Sequence, residues 1–242
     1  ANGSETEQTE KFCKAQGIDY SYLKWNDDFS EQRNFVASRI PKDTDFYVWA
    51  DTDYIILNPH LIRDIAETAK KKEYDAVFFT YWYGNKFDGK PSKDTFVECE
   101  LNQMRERLLK PHKITWKKRI HETPVPVDGE NFKYSQVKYS KDYPIVWMHL
   151  GADRDMPQDA LDAKMARNRR LLELELADER EKGEADPRTL LYLMKIYAES
   201  QDTKTLQTCV EMGKEYLEKS GWDQERAICL QLMSKCMGLL GN

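Results

Sequence analysis

Apolar, β-branched runs alternate with amphipathic stretches up to about residue 150 of the chain. The runs Phe46–Ala50 and Tyr74–Tyr83 have the composition of buried strands. Further strands are predicted at Ile18–Leu23, Thr95–Leu101, Met104–Leu109 and Ile145–His149, and helices at Glu5–Gln16, from Ser30 onwards and at His60–Lys72. The order strand, helix, strand from Ile18 to Ala50 predicts a parallel strand pair, and therefore an α/β fold.

The pattern changes at about Asp153, after which it is helical throughout. Gln158–Lys182 lacks Gly and Pro and is rich in good helix formers. Further helices are predicted from Pro187, at Asp202–Ser220 and at Asp223–Leu240. Their period of about 34 to 36 residues is consistent with a tetratricopeptide-like repeat. The region holds too few repeats to be stable alone, so the first of these helices is expected to pack on the preceding domain. We therefore predict an α/β domain over residues 1–154 and an all-α domain over residues 155–242.

Composition and charge exclude several classes of function. The net charge is −5 and the basic residues are dispersed, so no nucleic-acid partner is expected. No apolar stretch approaches the roughly 20 residues that span a membrane, and Ala1–Gly17 is too polar for a signal peptide. The 5 cysteines are odd in number and contain no Cys-x-x-Cys pair, which favours reduced thiols. We therefore predict a cytoplasmic protein.

Two carboxylates, Asp51 and Asp53, directly follow the predicted strand Phe46–Ala50. In an open α/β sheet, ligands bind beyond the carboxyl ends of the strands. Neighbouring acids repel each other unless a cation lies between them. Their oxygens suit magnesium or manganese, and such an ion can bridge the oxygens of a diphosphate. The alternative is an ordinary turn, because Asp is frequent after strands.

An ordered set of short motifs resembles the family 2 glycosyltransferases of GT-A fold. The motifs are Asn2-Gly3-Ser4, Trp25-Asn26-Asp27-Asp28-Phe29, Gln32-Arg33-Asn34-Phe35 and Val48-Trp49-Ala50-Asp51-Thr52-Asp53. The chain is most similar to the bacterial and phage branch with a tetratricopeptide-like helical tail. The resemblance covers nearly the whole chain and implies a truncated GT-A nucleotide-sugar-binding sheet with flanking helices, lacking its first strand and helix. Two positions depart from the family pattern, since Ala1 stands where an acid usually reads the uracil and Tyr54 where Glu is usual.

Two later segments extend the resemblance. Trp116–Pro124 resembles the family element Arg/Val-Ile-His-Glu on the acceptor side of the cleft, which implies that Glu122 is the general base of an inverting transfer. His121 would orient Glu122 or touch a phosphate. The alternative is a polar pair that ends a strand. Ile145–Gly151 resembles the late strand whose histidine, here His149, completes the metal site, and an imidazole beside carboxylates fits manganese better than magnesium.

The first functional hypothesis is a metal-dependent glycosyltransferase that moves a sugar from a nucleotide-diphosphate sugar, with a UDP-sugar expected, to an acceptor. The resemblance implies that Asp53 and His149 hold Mn²⁺ or Mg²⁺ and that Asp51 contacts the ribose or the metal. Arg33 would contact the nucleotide or its phosphates, with Arg119 as a second candidate. The acceptor class, whether protein, peptide or glycan, stays open.

The second hypothesis is a binding module, in which a degenerate transferase domain assembles with a protein partner through the helical repeat. The transferase hypothesis predicts that Asp51, Asp53, Glu122 and His149 converge on one cleft. A binding module has no reason to keep these groups together, because three clustered acids repel each other without a metal. A two-metal phosphohydrolase would need more Asp and His ligands than these motifs supply.

Overall fold

The structure is a computed structural model that describes residues 7–89, 94–127, 129, 132–149 and 156–241. It is a mixed α/β protein, and it divides into two compact units. Within the described residues, the first unit comprises the chain up to Trp25, Ser30–Lys117 and Glu122–Pro157, and the second comprises Asn26–Phe29, Lys118–His121 and the chain from Gln158. The predicted boundary between residues 154 and 155, and the expectation for Ala1, fall outside the described residues.

Ten described strands belong to the first unit, and six of them form one mixed sheet. The strands are β1 (Tyr47–Val48), β2 (Tyr54–Leu57), β3 (Ala76–Tyr83), β4 (Lys86–Phe87), β5 (Phe96–Glu98), β6 (Leu101–Leu109), β7 (Ile114–Lys117), β8 (Thr123–Pro126), β9 (Tyr134–Val137) and β10 (Val146–His149). The sheet order is β1-β6-β3-β10-β2, with β9 paired to β3. β3 runs parallel to β9 and β10, while β1–β6, β3–β6 and β2–β10 are antiparallel. Two-stranded ribbons form from β4 with β5 and from β7 with β8.

The core of the first unit lies between this sheet and one helix. The helices are α1 (Glu7–Ala15), α2 (Phe29–Ala37) and α3 (Ile62–Lys71), the last preceded by a 3-10 turn, Pro59–Leu61. In α3, Ile65 and Ala69 are four residues apart, so they share the face that packs on the sheet. They meet Val77, Phe79 and Trp147, which the continuous apolar runs of β3 and β10 bury. The predicted strands at Tyr74–Tyr83 and Ile145–His149 are therefore confirmed within one or two residues.

The predicted parallel pair between Ile18–Leu23 and Phe46–Ala50 is wrong. The first segment is not a strand, and the second forms a strand only at Tyr47–Val48, antiparallel to β6. Ile18 and Tyr22 are exposed, so these apolar side chains of the segment face solvent and do not pack in the sheet. Alternation alone does not make a strand, because a strand also needs a neighbouring strand with which to form hydrogen bonds.

The second unit contains four described helices, α4 (Gln158–Glu181), α5 (Pro187–Tyr197), α6 (Thr203–Lys219) and α7 (Asp223–Leu240). These four helices confirm the predicted helical region. Local signals define where its helices begin. Asp186 caps α5 by accepting from the backbone N of Arg188, and Asp202 caps α6 in the same way through Thr205. None of the helices in the described ranges is long and apolar enough to cross a membrane.

A short strap, residues 118–121, is bound within the second unit by ion pairs. Lys118 Nζ lies 2.6 Å from Glu179 Oε1 and 2.6 Å from Asp186 Oδ2. Burial lowers the pKa of Lys118, but the bonds to Asp186 and Glu179 raise it more, so the ammonium stays charged. Glu179 is buried and also accepts from Thr189 Oγ1 at 2.8 Å. The strap is therefore held by a largely desolvated cluster.

Replacing Lys118 with Met is expected to lower the free energy of unfolding of the second unit by about 2 kcal/mol, because it leaves the buried Glu179 carboxylate without its cation. The value is below that for fully buried pairs, since the Lys118 side chain is 25% exposed. Urea unfolding followed by far-UV circular dichroism measures it. The matched control is Lys235→Met, which removes an exposed pair with Glu199 and should cost under about 0.5 kcal/mol. Equal costs for the two variants would contradict this interpretation.

Candidate functional site

Arg33 lies at the centre of a cluster of predicted site residues in the first unit. Its position follows from its neighbour Asn34, whose side chain bonds to both the backbone O and N of Trp116 at 2.9 and 2.8 Å. The Arg33 guanidinium lies 3.7 Å above the Trp49 ring. Its Nε donates to Glu122 Oε1 at 2.5 Å, and its Nη1 lies 3.6 Å from Asp51 Oδ1. One arginine therefore pairs with two acids that the sequence analysis selected separately.

The Arg33–Glu122 pair is largely removed from water. The side chains are 20% and 11% exposed. Burial lowers the pKa of Arg33, but the charges of Glu122 and Asp51 outweigh burial and raise it overall. An ion pair with so little exposure is screened much less by solvent and salt than a surface pair. The cluster therefore concentrates fixed charge beside β1 and β8.

Asp51 is held on its other side by Tyr54. The Tyr54 hydroxyl donates to Asp51 Oδ2 at 2.9 Å, and the Tyr54 ring packs edge-on against Trp147 and His149. Burial raises the pKa of Tyr54, with Arg107 opposing it, so the hydroxyl keeps its proton and acts as a donor. The tyrosine that follows Asp53 is therefore a direct partner of Asp51.

The third part of the cluster joins Asp53 to His149. Asp53 directly precedes β2 and His149 ends β10, and the pairing of these strands brings His149 Nε2 to 3.0 Å from Asp53 Oδ2. The imidazole stacks on the Tyr83 ring at 4.7 Å. The buried side chain of Asn85 donates to the backbone O of His149 at 2.6 Å, which holds the end of the strand.

The predicted metal ligands fit a divalent ion in part. Across the described ranges, no group of three or more His, Cys, Asp or Glu residues is arranged to hold a metal ion. Asp53 and His149 form a pair, whereas Asp51 faces Arg33 and Tyr54. Asp53 Oδ1 is buried and has no hydrogen-bond partner among the residues that the structure describes, which leaves one carboxylate oxygen for a cation. Ions of this kind often take one or two carboxylates and complete their shell with water and substrate phosphates.

Two other predicted residues belong to the second unit. Arg119 donates from Nε and Nη2 to Asp178 Oδ2 at 2.9 and 2.7 Å. The His121 ring stacks on Tyr192 with ring centroids 4.1 Å apart. The roles predicted for Arg119 in nucleotide-sugar binding and for His121 in catalysis stay predictions.

Sequence reasoning missed Arg107, which lies beneath the cluster. Its side chain is 1% exposed and its guanidinium packs on Trp49 and Tyr54 at 3.8 and 4.8 Å. Burial lowers the pKa of Arg107, partly offset by the hydroxyl of Tyr54, to which its Nη2 donates at 3.3 Å. A signal was present, since Arg107 lies inside a predicted strand and directly before Leu108 and Leu109.

A separate concave surface of the first unit lies between α3 and the segment that follows β9. It has a volume of about 740 Å³ and an apolar floor that includes Ile65, Val77 and Val137. None of the predicted site residues lines it. The side chains of Asp51 and Asp53, by contrast, are 48% and 41% exposed, so these two acids reach solvent.

Comparison with known proteins adds no family to this description. A scan against models of protein families finds no family that matches the chain, and a search of curated proteins finds no match either. Fold and site define a mixed α/β protein whose first unit carries a cluster of arginine, acid and aromatic side chains, followed by a helical unit.

Proposed function

We propose that the chain is a metal-dependent, inverting glycosyltransferase that moves a sugar from a nucleotide-diphosphate sugar, expected to be a UDP-sugar, to an acceptor. One observation carries the proposal. Glu122, Arg33, Asp51, Tyr54, His149 and Asp53 form one continuous series of contacts within the first unit. Arg33 and Glu122 are 89 positions apart in the sequence, so the fold assembles the series. Clustered acids cost stability, and such costs are common where the charges serve a function.

The donor side of the proposed site uses Arg33, Asp51, Asp53 and His149. Arg33 is a cation that can pair with a diphosphate, because a planar guanidinium can donate two hydrogen bonds to phosphate oxygens at once. Asp53 and His149 would hold the divalent ion, which neutralises charge on the leaving diphosphate when it is bound. Asp51 is exposed enough to accept from the ribose hydroxyls.

The acceptor side uses Glu122, which directly precedes β8. A carboxylate there can take the proton from the attacking acceptor group. Glu122 Oε1 accepts from Arg33 Nε in the structure, so this oxygen becomes available to the acceptor when Arg33 turns towards a bound diphosphate. Donor binding would therefore precede activation of the acceptor.

The helical unit is proposed to be a tetratricopeptide-like surface that binds a protein acceptor or partner. We propose a cytoplasmic location, in which thiols such as Cys13, Cys99 and Cys209, free in the structure, stay reduced. No nucleic-acid partner is proposed.

Calorimetric titration of UDP, with manganese and with EDTA, tests the proposed site. The wild-type chain should bind UDP with manganese, and Asp53→Asn should weaken that binding about 100-fold, because it removes the carboxylate charge that faces the ion. EDTA should abolish the difference between the two proteins. Asp45→Asn is the matched control, since it changes an exposed carboxylate paired with Lys70 in the same unit.

Two results would count against the proposal. One is a wild-type chain that binds no UDP in either condition, which would favour the binding-module hypothesis. The other is manganese-dependent binding of UDP that Asp53→Asn leaves intact, which would mean that Asp53 does not hold the ion.

A further inference from the structure

Arg107 is a cation buried in aromatic surroundings. Its side chain is among the largest that are fully buried, and its guanidinium lies 4.9 and 5.5 Å from the rings of Tyr81 and Trp147. Its Nε and Nη1 have no hydrogen-bond partner in the described part of the chain. Desolvating a charge is costly, and contacts with aromatic faces offset only part of that cost. A buried arginine with two unused donors therefore calls for an explanation beyond packing.

A hydrogen bond from Arg107 leads to the proposed site. Arg107 Nη2 donates to the Tyr54 hydroxyl, and that hydroxyl donates to Asp51 Oδ2. Because Arg107 has no acceptor atoms, the hydroxyl oxygen must accept from it, and the tyrosine proton is left for another group. The Tyr81 hydroxyl is a second neighbour of Tyr54, but a carboxylate is the stronger acceptor. The positive charge of Arg107 strengthens the bond from Tyr54 to Asp51.

Trp49 links this relay, which runs from Arg107 through Tyr54 to Asp51, to Arg33. The guanidinium groups of Arg33 and Arg107 lie 3.7 and 3.8 Å from the centre of the same Trp49 ring. Both guanidinium groups are therefore in contact with the same indole ring. Asp51 thus has Arg33 beside Oδ1, while Oδ2 is bonded to Tyr54, which Arg107 supports. Both oxygens of Asp51 are oriented, one by each arginine.

We propose that Arg107 and Tyr54 are positioning residues, which hold the Asp51 carboxylate in the orientation that accepts the nucleoside of the donor. This role rests on the proposed function, because it gives Asp51 a nucleotide to contact. Tyr54 acts directly on Asp51, and Arg107 acts through Tyr54. Neither residue touches the reacting atoms.

Tyr54→Phe and Arg107→Met test the relay by titration of UDP in manganese. Phe keeps the Tyr54 ring and loses only the hydroxyl, and Met fills the volume of Arg107 without its charge. Each variant should weaken UDP binding about tenfold, the effect of losing one hydrogen bond to a charged group. The effect should vanish when Asp51→Asn is already present, because both residues act through the Asp51 carboxylate. Tyr197→Phe is the matched control, since it removes a hydroxyl bonded to the carboxylate of Glu173 in the second unit.

A second arm needs no ligand. Of the 6 tryptophans, Trp222 alone belongs to the second unit, so a Trp222→Phe background makes tryptophan fluorescence report the first unit. In urea, Tyr54→Phe should lower the unfolding midpoint of that unit by about 0.5–1 M, and by clearly less when Asp51→Asn is present. The comparison isolates the Tyr54–Asp51 interaction.

The two arms separate the two possible failures. A wild-type chain that binds no UDP would defeat the proposed function, and the urea arm alone would then decide whether the relay holds Asp51. Strictly additive effects of Tyr54→Phe and Asp51→Asn in both arms would overturn the positioning role. If Arg107→Met does not fold, Tyr54→Phe still gives the decisive result.

Discussion

Glu122→Gln is expected to slow sugar transfer by at least about 100-fold, because an amide cannot take the proton that a general base must remove. Affinity for UDP in manganese should change by less than about threefold, since the Gln carbonyl can still accept from Arg33 Nε and the donor side keeps its charges. The rate is measured as UDP release from a panel of UDP-sugars in the presence of peptide and glycan acceptors. Binding is measured by calorimetry on the same preparations.

The control for this variant is Glu98→Gln, which changes an exposed acid paired with Lys86 in the first unit and should leave both quantities unchanged. An unchanged rate of sugar transfer by Glu122→Gln would mean that another residue is the general base. Loss of UDP affinity equal to the loss of rate would instead make Glu122 a binding group, whose role is to hold Arg33 in place.

The helical unit was predictable from the sequence because its signals are local. Asp186 and Pro187 start α5, and Asp202 starts α6, through contacts made within two or three residues. The same holds for the apolar runs of β3 and β10, since strands buried on both faces are apolar throughout. Local capping and long apolar runs need no knowledge of the rest of the chain.

Strand pairing was not predictable in the same way. Nothing local to Tyr47–Val48 indicates that its partner is the end of β6 or that the pair is antiparallel. Arg33 and Glu122 were selected as separate candidates, and only the fold shows that they form one ion pair. Arg107 looked like one of several charges in β6, and its burial depends on rings contributed by other strands.

Trp147→Ala is expected to lower the free energy of unfolding of the first unit by about 3–5 kcal/mol, the range for deleting a buried aromatic side chain. Trp147 has no exposed surface, pairs across β10 with both β2 and β3, and packs on Phe79 and Tyr54. Urea unfolding followed by tryptophan fluorescence in the Trp222→Phe background measures the change, because four other tryptophans report on that unit. Tyr22→Ala is the control, since it truncates an aromatic ring that is exposed in the same unit.

Trp147→Phe separates volume from hydrogen bonding at this position. Trp147 Nε1 is buried without a hydrogen-bond partner among the described residues, so Phe removes no bond and should cost only about 1–2 kcal/mol through lost volume. Because His149 lies two positions further along β10, Trp147→Ala should also lose UDP affinity in manganese, whereas Trp147→Phe should keep most of it. A cost of Trp147→Ala close to that of Tyr22→Ala would mean that this strand does not form the core that supports the Asp53–His149 pair.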